Sequence, residues 1–233
     1  VGAQFGAIAL LATSSILRIF WKEIAEAHHQ KNEARTRSLY FKVSRLLYLM
    51  GAVIAGFLIP WSEALLQHIL GSAYAGGATT LTIMFLYPVH QSMGQIGGTM
   101  LYATEQTALQ VKIGIVFMVA SMVATYFMIA PPDAVIPGLG LAAEGVALKM
   151  VAMQIVQVNV LAFLIARIWG WRFDWAYQIT GLMACVAIGW MAHHLSLLAL
   201  GSSGLLWLEM AMAGLFYLVM IAGLLSIWPT LAG

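Results

Sequence analysis

Apolar residues fall into seven blocks along the chain, each close to the roughly 20 residues that a helix needs to cross a bilayer. The blocks cover residues 1–20, 46–69, 79–103, 111–130, 141–166, 176–198 and 205–228. Turn signals separate several of them: "GSAYAGG" at 71–77, "PPDAVIPGLG" at 131–140 and "GSSG" at 201–204. One long stretch is hydrophilic, "FWKEIAEAHHQKNEARTRSLYFKVSR" at 20–45. Its mixed charge and good helix formers predict either a solvated helical hairpin arm or a helix lying against anionic headgroups.

The block at 79–103 is polar for a membrane span. Placed on a wheel of 100° per residue, His90, Gly94, Tyr87, Gly98, Gln91, Tyr102 and Gln95 fall within an arc of roughly 140°. Glu105, just past the block, projects into the same arc, whereas Phe85, Val89, Met93, Ile96, Met100 and Ala103 lie opposite. A continuous polar stripe must face protein or water, because each unpaired polar group in hydrocarbon costs several kcal/mol. Two readings follow. Gly94 and Gly98 form a G-x-x-x-G seam for a neighbouring helix with the amides as interhelical bonds, or the stripe lines a hydrated cavity. Pro88 predicts a kink.

Composition agrees with the blocks. The chain is 62% hydrophobic and only 9% charged, well above the roughly 45–50% apolar content of soluble domains. The fold class expected is an all-α polytopic transmembrane helix bundle, a single domain over 1–233 with a connection at about 21–45. Of the eleven Lys and Arg residues, ten border the connections after the first, third and fifth blocks: Arg18, Lys22, Lys31, Arg35, Arg37, Lys42, Arg45, Lys112, Arg167 and Arg172. The positive-inside rule makes that side cytoplasmic, so the N-terminus lies outside and the C-terminus inside. Trp21, Trp169, Trp171, Trp175 and Trp228 mark the inner boundary, and Trp61 and Trp207 the outer one. Cys185 is the sole cysteine, which excludes a disulfide framework. The chain opens on apolar residues from Val1 without an initiator Met, a basic region or a cleavage site, and reads as a truncation.

Lys149 is the remaining cation. It sits eight residues into the fifth block, about 12 Å below its start, where a charge is a functional candidate by default. Met153 and Gln157 follow it on one face, and Glu144 points elsewhere. Lys149 either snorkels or pairs with an acid such as Glu63 or Glu209, or it serves as a cation in a central cavity. The adjacent pairs His28–His29 and His193–His194 point about 100° apart, and no i, i+4 pair supports a metal site. No nucleophile elbow, Walker A loop or paired-carboxylate signature is present, so neither an enzyme activity nor a metal or other cofactor is expected.

Three stretches carry a family resemblance: "RIFWKEIAEAHHQKNEARTRSLYFKVSRLL" at 18–47, "ILGSAYAGGATTLTIMFLYPVHQSMGQIGGTMLYATEQT" at 69–107, and "IPGLGLAAEGVAL" at 136–148. In order and spacing they resemble the polysaccharide-type flippases of the multidrug/oligosaccharidyl-lipid/polysaccharide exporter superfamily. The resemblance implies a bundle of 12 or 14 helices in two lobes, working by alternating access on undecaprenyl-diphosphate-linked saccharide in the bacterial inner membrane. This chain would be the C-terminal lobe, its partners being membrane lipid, the lipid-linked saccharide and a missing N-terminal lobe, with no nucleic acid. That family offers no invariant catalytic motif to carry over. The pathway candidates therefore come from the wheel and the charge pattern: Tyr87, His90, Gln91, Gln95, Tyr102, Lys149, Gln157 and Arg18. The alternatives are a drug/cation antiporter of the same superfamily, a seven-helix receptor-like or retinal protein, and an intramembrane sugar transferase. The first needs a mid-membrane carboxylate, which spans two to seven lack. The second needs a Lys in the last span, which is absent. The third lacks its acidic loop motifs.

Overall fold

A computed structural model describes residues 2–172, 175–201 and 204–228, with backbone alone for 2–15. Its described residues form helices joined by turns and loops, without strands. The helices are α1 (Gly2–His29), α2 (Glu33–Leu58), α3 (Ser62–Leu70), α4 (Ala78–Phe85), α5 (Tyr87–Ala103), α6 (Thr107–Ile129), α7 (Ala142–Trp169), α8 (Trp175–Leu200) and α9 (Leu206–Ile227), with single 3₁₀ turns at Ile59–Trp61 and Ser72–Gly77. Five helical segments among them are long and apolar enough to cross a membrane: Glu33–Leu70, α6, α7, α8 and α9.

The hydrophilic stretch at 20–45 is a helical hairpin built from extensions of α1 and α2. Asn32 caps α2 by accepting the Arg35 N–H at 3.0 Å, and Arg35 pairs with Glu23 across the hairpin. The block at 79–103 is helical and is interrupted where Pro88 predicts a kink. It is two helices, α4 and α5, which part at Leu86. Pro88 has no N–H for the carbonyl four residues back, and its ring crowds that carbonyl, so the ladder stops and restarts with the proline in the first turn of α5. The expected turn at 201–204 lies partly outside the described residues.

α2 is the hub. It packs on α8 and α5, with α1 against both α2 and α5, α7 beyond α5, α6 beyond α7, and α9 outside α8. Small residues bring backbones together at the hub, as in membrane bundles generally. A Cβ added at Gly51 would lie 2.9 Å from the Val89 Cα of α5, and one at Gly189 would overlap the Gly56 carbonyl of α2. Tyrosines then lock the neighbours to backbone carbonyls: Tyr48 donates to Gln178 O at 2.7 Å, Tyr177 to Arg45 O at 2.9 Å and Tyr217 to Val53 O at 2.9 Å. One apolar core surrounds α2, α5, α8 and α9, and a second joins the charged ends of α1 and α2 to α5 and α7.

Candidate functional site

The two faces of α5 differ as the wheel expects. Val89, Ile96 and Met100 are fully buried and Met93 and Ala103 nearly so. The polar face instead borders an open cavity of about 420 Å³. From α5 come Tyr87, Gln91, Gly94, Gln95, Gly98, Thr99 and Tyr102; from α7, Gln154, Gln157 and Leu161; from α6, Gln110; and from α1, Leu17. Among the described residues no ionisable carboxylate, lysine, arginine or histidine lines this space. Its chemistry is that of five amides, two phenols and a hydroxyl, groups that both donate and accept hydrogen bonds.

Close packing and the cavity share this face. A Cβ at Gly94 would stand 3.0 Å from Gln154 Nε2, and one at Gly97 would press on the Leu161 side chain at 2.5 Å, so these glycines let α7 approach α5. Gly98 lies under Gln110, whose Nε2 would be 3.2 Å from an added Cβ. The G-x-x-x-G seam is therefore displaced. Gly94 and Gly97 make the α7 contact, and the amides beside them face the cavity. Two amide oxygens, Gln95 Oε1 and Gln110 Oε1, are buried without a hydrogen-bond partner. A buried acceptor left unpaired costs about 1–3 kcal/mol.

A second cavity, about 320 Å³, adjoins the first and shares Tyr87, Gln154 and Gln157 with it. Lys149 lines it together with Ser121 and Phe117 of α6 and Met150 and Met153 of α7. The half-buried ammonium donates to Ser121 Oγ at 3.0 Å and forms no salt bridge among the described residues. Neither of its suggested acidic partners, Glu63 or Glu209, pairs with it.

Of the eight candidates, Tyr87, Gln91, Gln95, Tyr102 and Gln157 converge on the first cavity, and Lys149 on the second. The placement of the other two is a correction. His90 is buried against Tyr48, ring centroids 5.8 Å apart, with Nδ1 donating to Leu86 O at 3.3 Å. Arg18 is exposed on α1, and neither cavity includes it. The wheel explains His90. It lies at the arc's edge, and the cavity is centred about 100° away, reaching Thr99 beyond the other edge. Gln154 was readable as a partner of Gln157 one turn earlier, but Gln110 and Ser121 carry no sequence signal, since only helix packing brings them to the cavities. Compared with family models, with curated proteins and with solved structures, the chain matches none.

Proposed function

We propose that this chain is the C-terminal lobe of a transporter that flips lipid-linked saccharide across the bacterial inner membrane by alternating access. In this reading seven segments cross the membrane, α1, α2–α3, α4–α5 and α6 to α9, with the basic ends cytoplasmic. The observation that carries it is the joined pair of polar cavities, walled by α1, α5, α6 and α7, in a chain with five helical segments apolar enough to cross a membrane. In a bilayer such a recess is stable only if water, ligand or another helical lobe fills it, and a second lobe would close its open side. The lipid tail would remain in the bilayer while the headgroup crosses, Lys149 facing its phosphates and the α5 and α7 amides its sugar hydroxyls. Rocking of the lobes about the site would alternate access.

The test is flipping of a fluorescent polyprenyl-diphosphate saccharide in proteoliposomes that hold the chain with its complementary lobe. Lys149→Met should slow translocation about ten-fold or more, the scale of losing a hydrogen bond from a charged group. Gln95→Leu should also slow it. Wild-type rates in both, with intact folding, would remove the cavities from the pathway. Ion-gradient-driven efflux of a cationic dye, without lipid flipping, would favour the antiporter instead.

A further inference from the structure

We infer that the outer end of α9 is held by an acid-labile latch, Trp207 bonded to neutral His68, which opens when the histidine is protonated. In the orientation proposed above this corner meets the exterior, so external acid is the signal. The latch uses side chains of α3 and α9, none of which lines either polar cavity, and it needs no transported ligand.

Three observations carry it. First, the Trp207 indole Nε1 donates to His68 Nε2 at 3.1 Å, with the two rings at 88°. An indole nitrogen is a donor only, so Nε2 must present its lone pair and the imidazole must be neutral. A protonated His68 would set N–H against N–H, and the bond is lost. Both side chains are exposed, so protons reach the ring, and histidine is the side chain that ordinarily changes charge between about pH 5 and 8. Second, hydrogen bonds tie α9 to the α2–α3 span at two levels that respond differently to acid. About 15 Å further along α9, at 1.5 Å per residue, Tyr217 OH donates to Val53 O at 2.9 Å. A phenol keeps its proton throughout that pH range, so this tie survives. Third, the α2–α9 seam beside Tyr217 is loosely filled. Val53, Phe57 and Leu58 of α2 and Gly214 and Leu218 of α9 border an apolar groove of about 280 Å³. With its outer end released, α9 can therefore pivot at Tyr217. The other titratable groups at this corner come from several elements. Glu63 of α3 accepts from Gln67 Nε2 at 3.0 Å. The Ser72–Gly77 turn brings Tyr74, whereas α4 and the Ile59–Trp61 turn bring none. Glu209 of α9 is buried and its charge acts on His193 of α8, which adjoins His194. Among the described residues no acid forms a salt bridge with His68.

The experiment follows amide hydrogen exchange of the full chain in lipid nanodiscs, expressed as protection relative to the unfolded rate at each pH. Between about pH 8 and pH 5, protection at 208–212 should fall about three- to ten-fold, the scale of one hydrogen bond. Protection at 216–220 should stay constant. His68→Gln, whose amide oxygen can accept from the indole at any pH, should keep its full protection in acid. His68→Phe should show the lower protection at both pH values. His193 and His194 titrate alike in all three proteins, so an equal fall in His68→Gln overturns the assignment to His68. Constant protection at 208–212 in the unsubstituted chain overturns the latch even where a variant fails to fold. An equal fall at 216–220 overturns the pivot at Tyr217 and with it the local release. The indole N–H resonance supplies an independent readout. The signal that disappears in Trp207→Phe should move as acid is added to the unsubstituted chain and stand still in His68→Gln, and a signal that never moves overturns the bond.

Discussion

Glu105 ends α5 in a left-handed backbone conformation, φ 61°. That conformation lets the Gln106 N–H reach back to Leu101 O at 2.8 Å and close the helix end. Gly170 closes α7 in the same way at φ 65°, with Trp171 N–H bonded to Ala166 O at 2.8 Å. Glycine adopts this conformation freely, whereas a residue with a Cβ pays roughly 1–2 kcal/mol. Glu105→Gly should therefore raise the unfolding free energy in detergent by about 1 kcal/mol, and with it the midpoint, and Gly170→Ala should lower both by a similar amount. Equal midpoints for both variants and the parent would contradict the strain. At this scale the polar face of α5 was legible because it lies on one helix, where a wheel suffices. His90 was misjudged because a 100° step leaves an edge residue's direction to its neighbours, and Tyr48 of α2 decided it.

The helices meet through glycines where backbones nearly touch. At the α2–α8 crossing a Cβ on Gly189 would overlap Gly56 O, whereas one on Gly181, two turns earlier, meets nothing within 4 Å. Gly189→Ala should destabilise by about 1–3 kcal/mol through overpacking, and Gly181→Ala should be neutral or stabilise by about 0.5–1 kcal/mol as a helix former replaces glycine. Thermal unfolding of the two variants side by side separates these signs. Apolar length made most of the helices readable, and Pro88 made the bend readable. The full division into α4 and α5 was not, because a proline-bearing block of apolar length suits a kinked helix as well as two. Nor was the continuity of α2 with the polar stretch before it, since the charges that suggested an arm in water are compatible with a helix running on beyond the lipid.

At the scale of the molecule, the described residues combine the polar cavities beside α5 with a broad apolar exterior. Only 6% of the most apolar window of α6 is buried, and Val123 on α6 and Leu215 on α9 are exposed, so in a bilayer these faces meet lipid. Cys185 is fully buried and should give little background in thiol labelling. Thr99→Cys and Gln154→Cys should react with a membrane-impermeant maleimide, while Val123→Cys and Leu215→Cys, though less covered by protein, should not. Comparable labelling at all four would place the outer face of α6 in water and remove the basis for a membrane recess. The recess itself joins side chains from α1, α5, α6 and α7, which no single stretch of sequence displays. The contacts across the bundle also differ in compliance. At Gly56 and Gly189 main chain abuts main chain, and such a joint has no rotamers with which to absorb displacement. Between α5 and α7 the glycines instead meet the ends of Gln154, Val158 and Leu161, which can turn about their own bonds. The α2–α8 pair is thus the stiff frame of the molecule, and the wall of the recess is its pliable part.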